Sequence, residues 1–162
     1  MNHHTKVREQ LLETVEALTF EQLNAHPQPG KWSIAQVMEH LYLTERTLAQ
    51  VITAGLESKD INPPSERKPV KRVIDRSIKI EAPPPLIPIK DEWTLEDLKE
   101  RLEESKGALE RIANKEDQSQ LASKSFPHPV FGALSLEQWI EFVPYHEERH
   151  LLQIKEIKEK FR

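Results

Sequence analysis

Apolar positions recur at steps of three and four residues in four stretches of the chain, the spacing that gives an α-helix one buried face. The first stretch carries Val7, Leu11, Val15 and Leu18. The second opens at Ser33, with Gln36 three residues on as a capping box, carries Ile34, Val37, Leu41, Leu48 and Ile52, and is expected to end near Gly55. The third starts at Thr94, with Asp97 in its first turn, and runs Leu95, Leu98, Leu102, Ser105, Leu109, Ile112, the spacing of a bundle seam. The fourth starts at Ser135, again with a capping box to Gln138, and reaches the C-terminus. A further box, Thr19 to Gln22, predicts a short extra turn before Pro27 and Pro29 break the chain. Only Val73 to Ile80 comes near the alternation of a strand. The expected fold is all-α, a four-helix bundle in a single domain spanning residues 1–162.

The connections are unequal. Residues 58–93 hold seven of the twelve prolines, including Pro83-Pro84-Pro85 and Pro88, which excludes a regular helix and favours extended backbone. A link of that length lets the second and third helices run parallel. It is expected to be a surface strap, with a lid or wall over a site as the alternative. Val73, Ile74, Ile78 and Ile80 give it apolar residues to lay on the bundle, and residues 126–134 read as a shorter proline-punctuated loop.

Charge and composition narrow the partners. A net charge of −4 speaks against nucleic acid, which needs concentrated Lys and Arg; the cluster Arg67, Lys68, Lys71, Arg72 and Arg76 reads as a solvated face of the link. The absence of cysteine excludes disulfides, thiolate metal sites and a thiol nucleophile, and fits the cytoplasm. No apolar run approaches the roughly 18 residues of a membrane span, and Met1 to Thr5 lack a secretion signal.

Two histidines change the picture. His146 and His150 lie one helical turn apart, inside or at the margin of the arc shared by Leu136, Trp139, Ile140, Val143, Ile154 and Ile157. Imidazoles aimed at a core must be satisfied there. His40 sits at the edge of the apolar arc of the second helix, and facing helices can bring it opposite the pair. A single histidine of this kind is ordinarily a hydrogen-bonded core residue. Three on facing helices point instead to one divalent metal ion with open coordination positions.

His146-Glu147-x-x-His150 also matches the zincin protease motif, but no third ligand follows in the twelve remaining residues beyond Glu156 and Glu159. A di-iron site would need a second Glu-x-x-His, and position 37, three before His40, is Val. Glu147 points near the centre of the apolar arc. It is the one sequence candidate for a catalytic base, with a ligand-orienting contact or a buried arginine pair as alternatives. Pro144 should kink the helix one turn before His146. Glu148 and Arg149 are expected at the surface or an interface, His128 in a loop rather than as a ligand, and His3, His4 and His26 in solvent.

Three stretches taken together resemble the DinB-like superfamily of metal-binding four-helix bundles. They are Gly30-Lys31-Trp32-Ser33-Ile34 leading to His40-Leu41, then His128-Pro129-Val130-Phe131-Gly132-Ala133-Leu134-Ser135, then Trp139 followed by His146-x-x-x-His150-x-x-Gln153-Ile154. The resemblance implies that His40, His146 and His150 are the metal triad, commonly holding nickel or zinc, and that the helices run up-down-down-up. Characterised relatives include bacterial enzymes that transfer low-molecular-weight thiols onto electrophiles, and a relative described as a metal-dependent hydrolase. The resemblance therefore implies a thiol S-transferase acting on a small molecule, with a hydrolase or a non-catalytic metal-binding bundle as alternatives.

One expectation concerns assembly. Tyr42, Leu43 and Val51 lie off the main stripe of the second helix, so an isolated subunit would leave Leu43 in water. With the resemblance, this suggests a homodimer through one helical face; the alternative is burial under the proline-rich link.

Overall fold

The computed structural model describes residues 2–59, 66–115 and 118–161. Helix α1 is His3–Val15, α2 is Phe20–Asn24, α3 is Ile34–Glu57, α4 is Leu95–Lys115, α5 is Gln118–Ser123 and α6 is Leu136–Glu159, with strands β1 (Ser125–His128) and β2 (Gly132–Ser135) before α6. The four periodic stretches become α1, α3, α4 and α6. Capping fixes where they begin: Ser33 and Thr19 both form complete boxes with Gln36 and Gln22. At α6 only half of the expected box exists. Ser135 accepts from the Gln138 backbone, but the Gln138 side chain turns to Lys68 and pairs with its N–H at 2.9 Å and its carbonyl at 2.8 Å. Gly55 does not end α3; the helix runs two residues further and Gly55 lets Leu136 approach.

Side-chain contacts give the helix directions. His3 meets Glu148 and Lys158 donates to the Thr14 carbonyl, so α1 and α6 run the same way. Trp93 Nε1 donates to Glu39 and Arg101 lies over the Tyr42 ring, so α3 and α4 are also parallel. His40 faces His146, while Gly55 near the other end of α3 meets Leu136, so α3 and α6 are antiparallel. The bundle is up-down-down-up.

Its interior divides in two. One part packs Leu11, Val15, Ile34, Met38, Leu98 and Leu102; the other gathers Ile52, Leu109, Leu121, Leu134, Leu136 and Val143. Tyr42 and Leu43 belong to the first part and are buried within this one chain, so the exposed face expected of Leu43 does not exist.

Two loops depart from expectation. Between Glu66 and Trp93 the chain forms 3-10 turns at Val70–Ile74 and Pro84–Leu86 and no strand; Val70 and Val73 are its buried anchors, whereas Ile78 and Ile80 stay exposed. The loop expected at 126–134 is an antiparallel hairpin pairing Ser125 with Ser135 and His128 with Gly132. Gly132, at φ +71, takes the left-handed conformation that closes its tip. Trp139 Nε1 donates to the Phe126 carbonyl at 3.0 Å and ties the hairpin to α6. α6 is continuous through the buried Pro144. No helix among the described residues is long and apolar enough to cross a membrane.

Candidate metal centre and its cavity

α3 contributes His40, and α6 contributes His146 and His150. Because the two helices are antiparallel neighbours, the three rings converge. Nε2 of His146 lies 3.3 Å from Nε2 of His40 and 3.1 Å from Nε2 of His150. Phe142 stacks on His146 and the Trp32 ring leans on His40.

The outer nitrogens decide what the inner ones carry. His40 Nδ1 is 2.8 Å from the Leu86 carbonyl, which can only accept, so Nδ1 holds the proton and Nε2 offers a lone pair. His150 Nδ1 stands in the same relation to Gln153 Oε1 at 2.7 Å. Burial lowers the pKa of all three, well below the ordinary value for His146 and His150, where the neighbouring rings add to the effect. Neutral imidazoles with lone pairs turned on one point, and protons excluded by burial, suit a divalent cation, and these three residues could hold one. Among the described residues no fourth side-chain donor joins them, so the set leaves positions open.

The open side faces a cavity of about 370 Å³ between α3, α6, the proline-rich link and the hairpin. Its walls are mainly apolar and aromatic, with Leu48, Val51, Val73, Phe126, Trp139 and Phe142, and its polar points include Thr44, Thr47, Arg76, Glu81, His128 and Arg149. The link is therefore a wall of the site rather than a passive strap. Arg149, expected at the surface, is buried. Nη1 donates to the carbonyls of Val73 at 3.0 Å and Asp75 at 2.7 Å, and Nη2 donates to Ile78 at 2.7 Å, pinning the link to α6. A helical wheel could not show this, because its partners come from outside the bundle. His128 is also buried, against Trp139, Phe142 and Phe131, and burial lowers its pKa to about 4.

Glu147 is not brought to the histidines. One residue on from His146 is about 100° round the helix, which turns its carboxylate to α1. There Arg8 donates from Nε to Oε1 at 2.7 Å and from Nη2 to Oε2 at 3.1 Å, and His4, only half-buried rather than free in solvent, lies 3.0 Å from Oε2. Arg8 also bonds Glu45 and the Leu102 carbonyl. Burial opposes the Glu147 charge, but the hydrogen bonds and charges of His4 and Arg8 outweigh it and hold its pKa low. With both oxygens engaged away from the cavity, Glu147 takes the alternative of a buried arginine pair, and the base assignment has no geometric support. Only the apolar position of Arg8, beside Val7 and Leu11, could have signalled its partner.

Residues 3–154 match the DinB superfamily, and the chain belongs to it. The uncharacterized protein YuaE of Bacillus subtilis strain 168 is 35% identical over 147 residues, covering 90% of this chain and 89% of its own length. Among solved structures, YfiT from Bacillus subtilis, described as a probable metal-dependent hydrolase with an unusual four-helix bundle topology, superposes with a TM-score of 0.68 at 21% identity, covering 98% of this chain and 83% of that one. TT2238, a four-helix bundle protein, gives a TM-score of 0.65 at 22% identity, covering 95% of this chain and 94% of its own. At these identities the structural likeness carries the fold.

Proposed function

We propose that the protein is a mononuclear metal-dependent enzyme in which His40, His146 and His150 hold one nickel or zinc ion and a low-molecular-weight thiol is transferred to an electrophile in the adjoining cavity. The observation that carries the reading is the convergence of inward lone pairs, fixed by Leu86 and Gln153, beside a mainly apolar cavity with no fourth side-chain donor among the described residues. A bound divalent ion supplies Lewis acidity, lowering the pKa of a thiol or a water molecule beside it. In the transfer, sulfur bonds to the electrophilic carbon, the leaving group departs with its electron pair, and the thiol proton passes to solvent. The chain's own residues exclude bulk water and orient the reactants between the link and the hairpin.

Hydrolysis is the second reading, favoured by the description of YfiT. One experiment separates them. Zinc- and nickel-loaded protein is incubated with a panel of small thiols and 1-chloro-2,4-dinitrobenzene, and separately with activated esters. Metal-dependent loss of thiol with chloride release supports transfer. Ester cleavage without thiol dependence supports hydrolysis. Absence of stoichiometric metal overturns both.

A further inference from the structure

His128 closes β1 at the hairpin tip, and its ring is held from several sides. Its centroid is 4.6 Å from that of Trp139, 4.7 Å from Phe142 and 5.0 Å from Phe131. Phe142 in turn stacks on His146 at 5.2 Å, so a single aromatic ring links His128 to the triad. Nδ1 is turned back on the hairpin, accepting the backbone N–H of Val130 at 3.0 Å and of Phe131 at 3.3 Å. An acceptor nitrogen carries no proton, so in the neutral ring the proton is on Nε2. Among the described residues no protein acceptor meets Nε2, and Nε2 is not a sealed-off atom without a partner. His128 lines the same cavity as the triad.

We propose that His128 is a substrate-binding residue, a neutral imidazole locked as the Nε2–H tautomer that donates a hydrogen bond to a carbonyl-type oxygen of a compact, apolar-bodied substrate lying between the hairpin and the triad. The inference rests on the reading of this cavity as the reaction site, and it deepens that reading by naming the substrate class. The walls fix the class: aromatic and aliphatic side chains accept an apolar body, and a fixed neutral donor favours an acceptor oxygen over a bare hydrocarbon. A motif read as a loop thus becomes a recognition element. The hairpin turn and the stacking rings orient the donor before the substrate arrives, so ordering it on binding costs little.

The test uses zinc-loaded full-length protein and two probes of similar size, acetophenone and ethylbenzene, titrated by the fluorescence of Trp32 and Trp139 in the cavity wall. Two variants separate the ends of the ring. In His128→Asn the amide oxygen replaces Nδ1 and keeps the turn, but nothing reaches the place of Nε2. In His128→Gln the amide nitrogen stands in for Nε2. The preference for acetophenone over ethylbenzene is expected to fall by about five- to ten-fold in His128→Asn, the worth of one neutral hydrogen bond. In His128→Gln it should recover toward the wild-type ratio. Nitrogen-15 shifts of the wild-type ring should report Nδ1 bare and Nε2 protonated. An unchanged ratio in His128→Asn, an equal fall in both variants, the opposite tautomer, or no saturable binding of acetophenone to wild type would each overturn the proposal. Metal content, measured on the same samples, reports separately on the triad: protein that takes no zinc but keeps the His128-dependent ratio would defeat the metal reading and leave this inference standing.

Discussion

Arg8 and Glu147, distant in the chain, meet as a buried ion pair with Nε 2.7 Å from Oε1, and this pair joins α1 to the helix that carries two of the three site histidines. Burial works against the Arg8 charge, but Glu147 and Glu45 more than offset it and raise its pKa. The pair anchors the back of α6 while His146 and His150 face forward.

Removing one partner leaves an uncompensated charge in the interior, which costs about 3–5 kcal/mol. Arg8→Met should therefore lower the stability measured by urea denaturation by that amount. Glu147→Gln, which keeps hydrogen-bonding atoms for Arg8, should lose less, about 1–3 kcal/mol. Zinc stoichiometry in Glu147→Gln should stay at one per chain. Lost activity with unchanged stability in that variant would restore Glu147 as a catalytic base.

Metal binding should depend on each triad member and on the partner of its outer nitrogen. Replacing His146 or His150 with Ala should abolish stoichiometric zinc binding, read by elemental analysis after desalting. Gln153→Ala frees His150 Nδ1 and should weaken zinc affinity by roughly 10-fold or more, with the triad intact. Zinc at about 100 times its Kd should stabilise the wild type by about 2.7 kcal/mol and the His150→Ala protein by far less.

Arg149→Met withdraws the donors from three link carbonyls. The expected result is a loss of at least about 2 kcal/mol and faster proteolytic cleavage within residues 66–93, located by mass spectrometry. Cleavage at the wild-type rate would show that the link's other anchors, such as buried Val70 and Val73 and the Gln138 bonds to Lys68, hold it without Arg149.

The pH dependence of the metal-free protein has two limbs. His40, His128, His146 and His150 have folded pKa values below the ordinary one, His128 at about 4, so the unfolded chain takes up protons that the folded chain refuses. Their contribution is complete above about pH 6.5 and is lost as pH falls from there toward about 4. Glu45 goes the other way. Burial pushes it up to about 8, with Arg8 pulling down, so its contribution is present below the ordinary carboxyl range and lost as pH rises through about 8. The urea midpoint should peak near neutrality and fall on both sides, and Glu45→Gln should flatten the alkaline limb.

The bundle was legible in the sequence because its determinants are local. Ser33 with Gln36 starts α3, and the spacing of Leu98, Leu102 and Leu109 lays α4 along it. The His146 and His150 pair was legible for the same reason, since four residues make one turn. What escaped depends on contacts between distant segments. Arg149 looks outward on its own helix and is buried by residues more than seventy positions earlier. The hairpin escaped because its prolines and Gly132 read as punctuation, whereas they fold the chain back beneath Trp139. His4, expected in solvent, lies instead against Glu147, a contact that exists only once α1 packs on α6.

Running α3 and α4 parallel obliges the chain to travel back along the bundle before starting α4, and the returning segment brings the Leu86 carbonyl onto His40 and Val73 into the cavity wall. The detour that the topology demands is thus also the part of the chain that shapes the chamber. A change in the length or sequence of this one connection would therefore reshape the chamber without touching the histidines on α3 and α6.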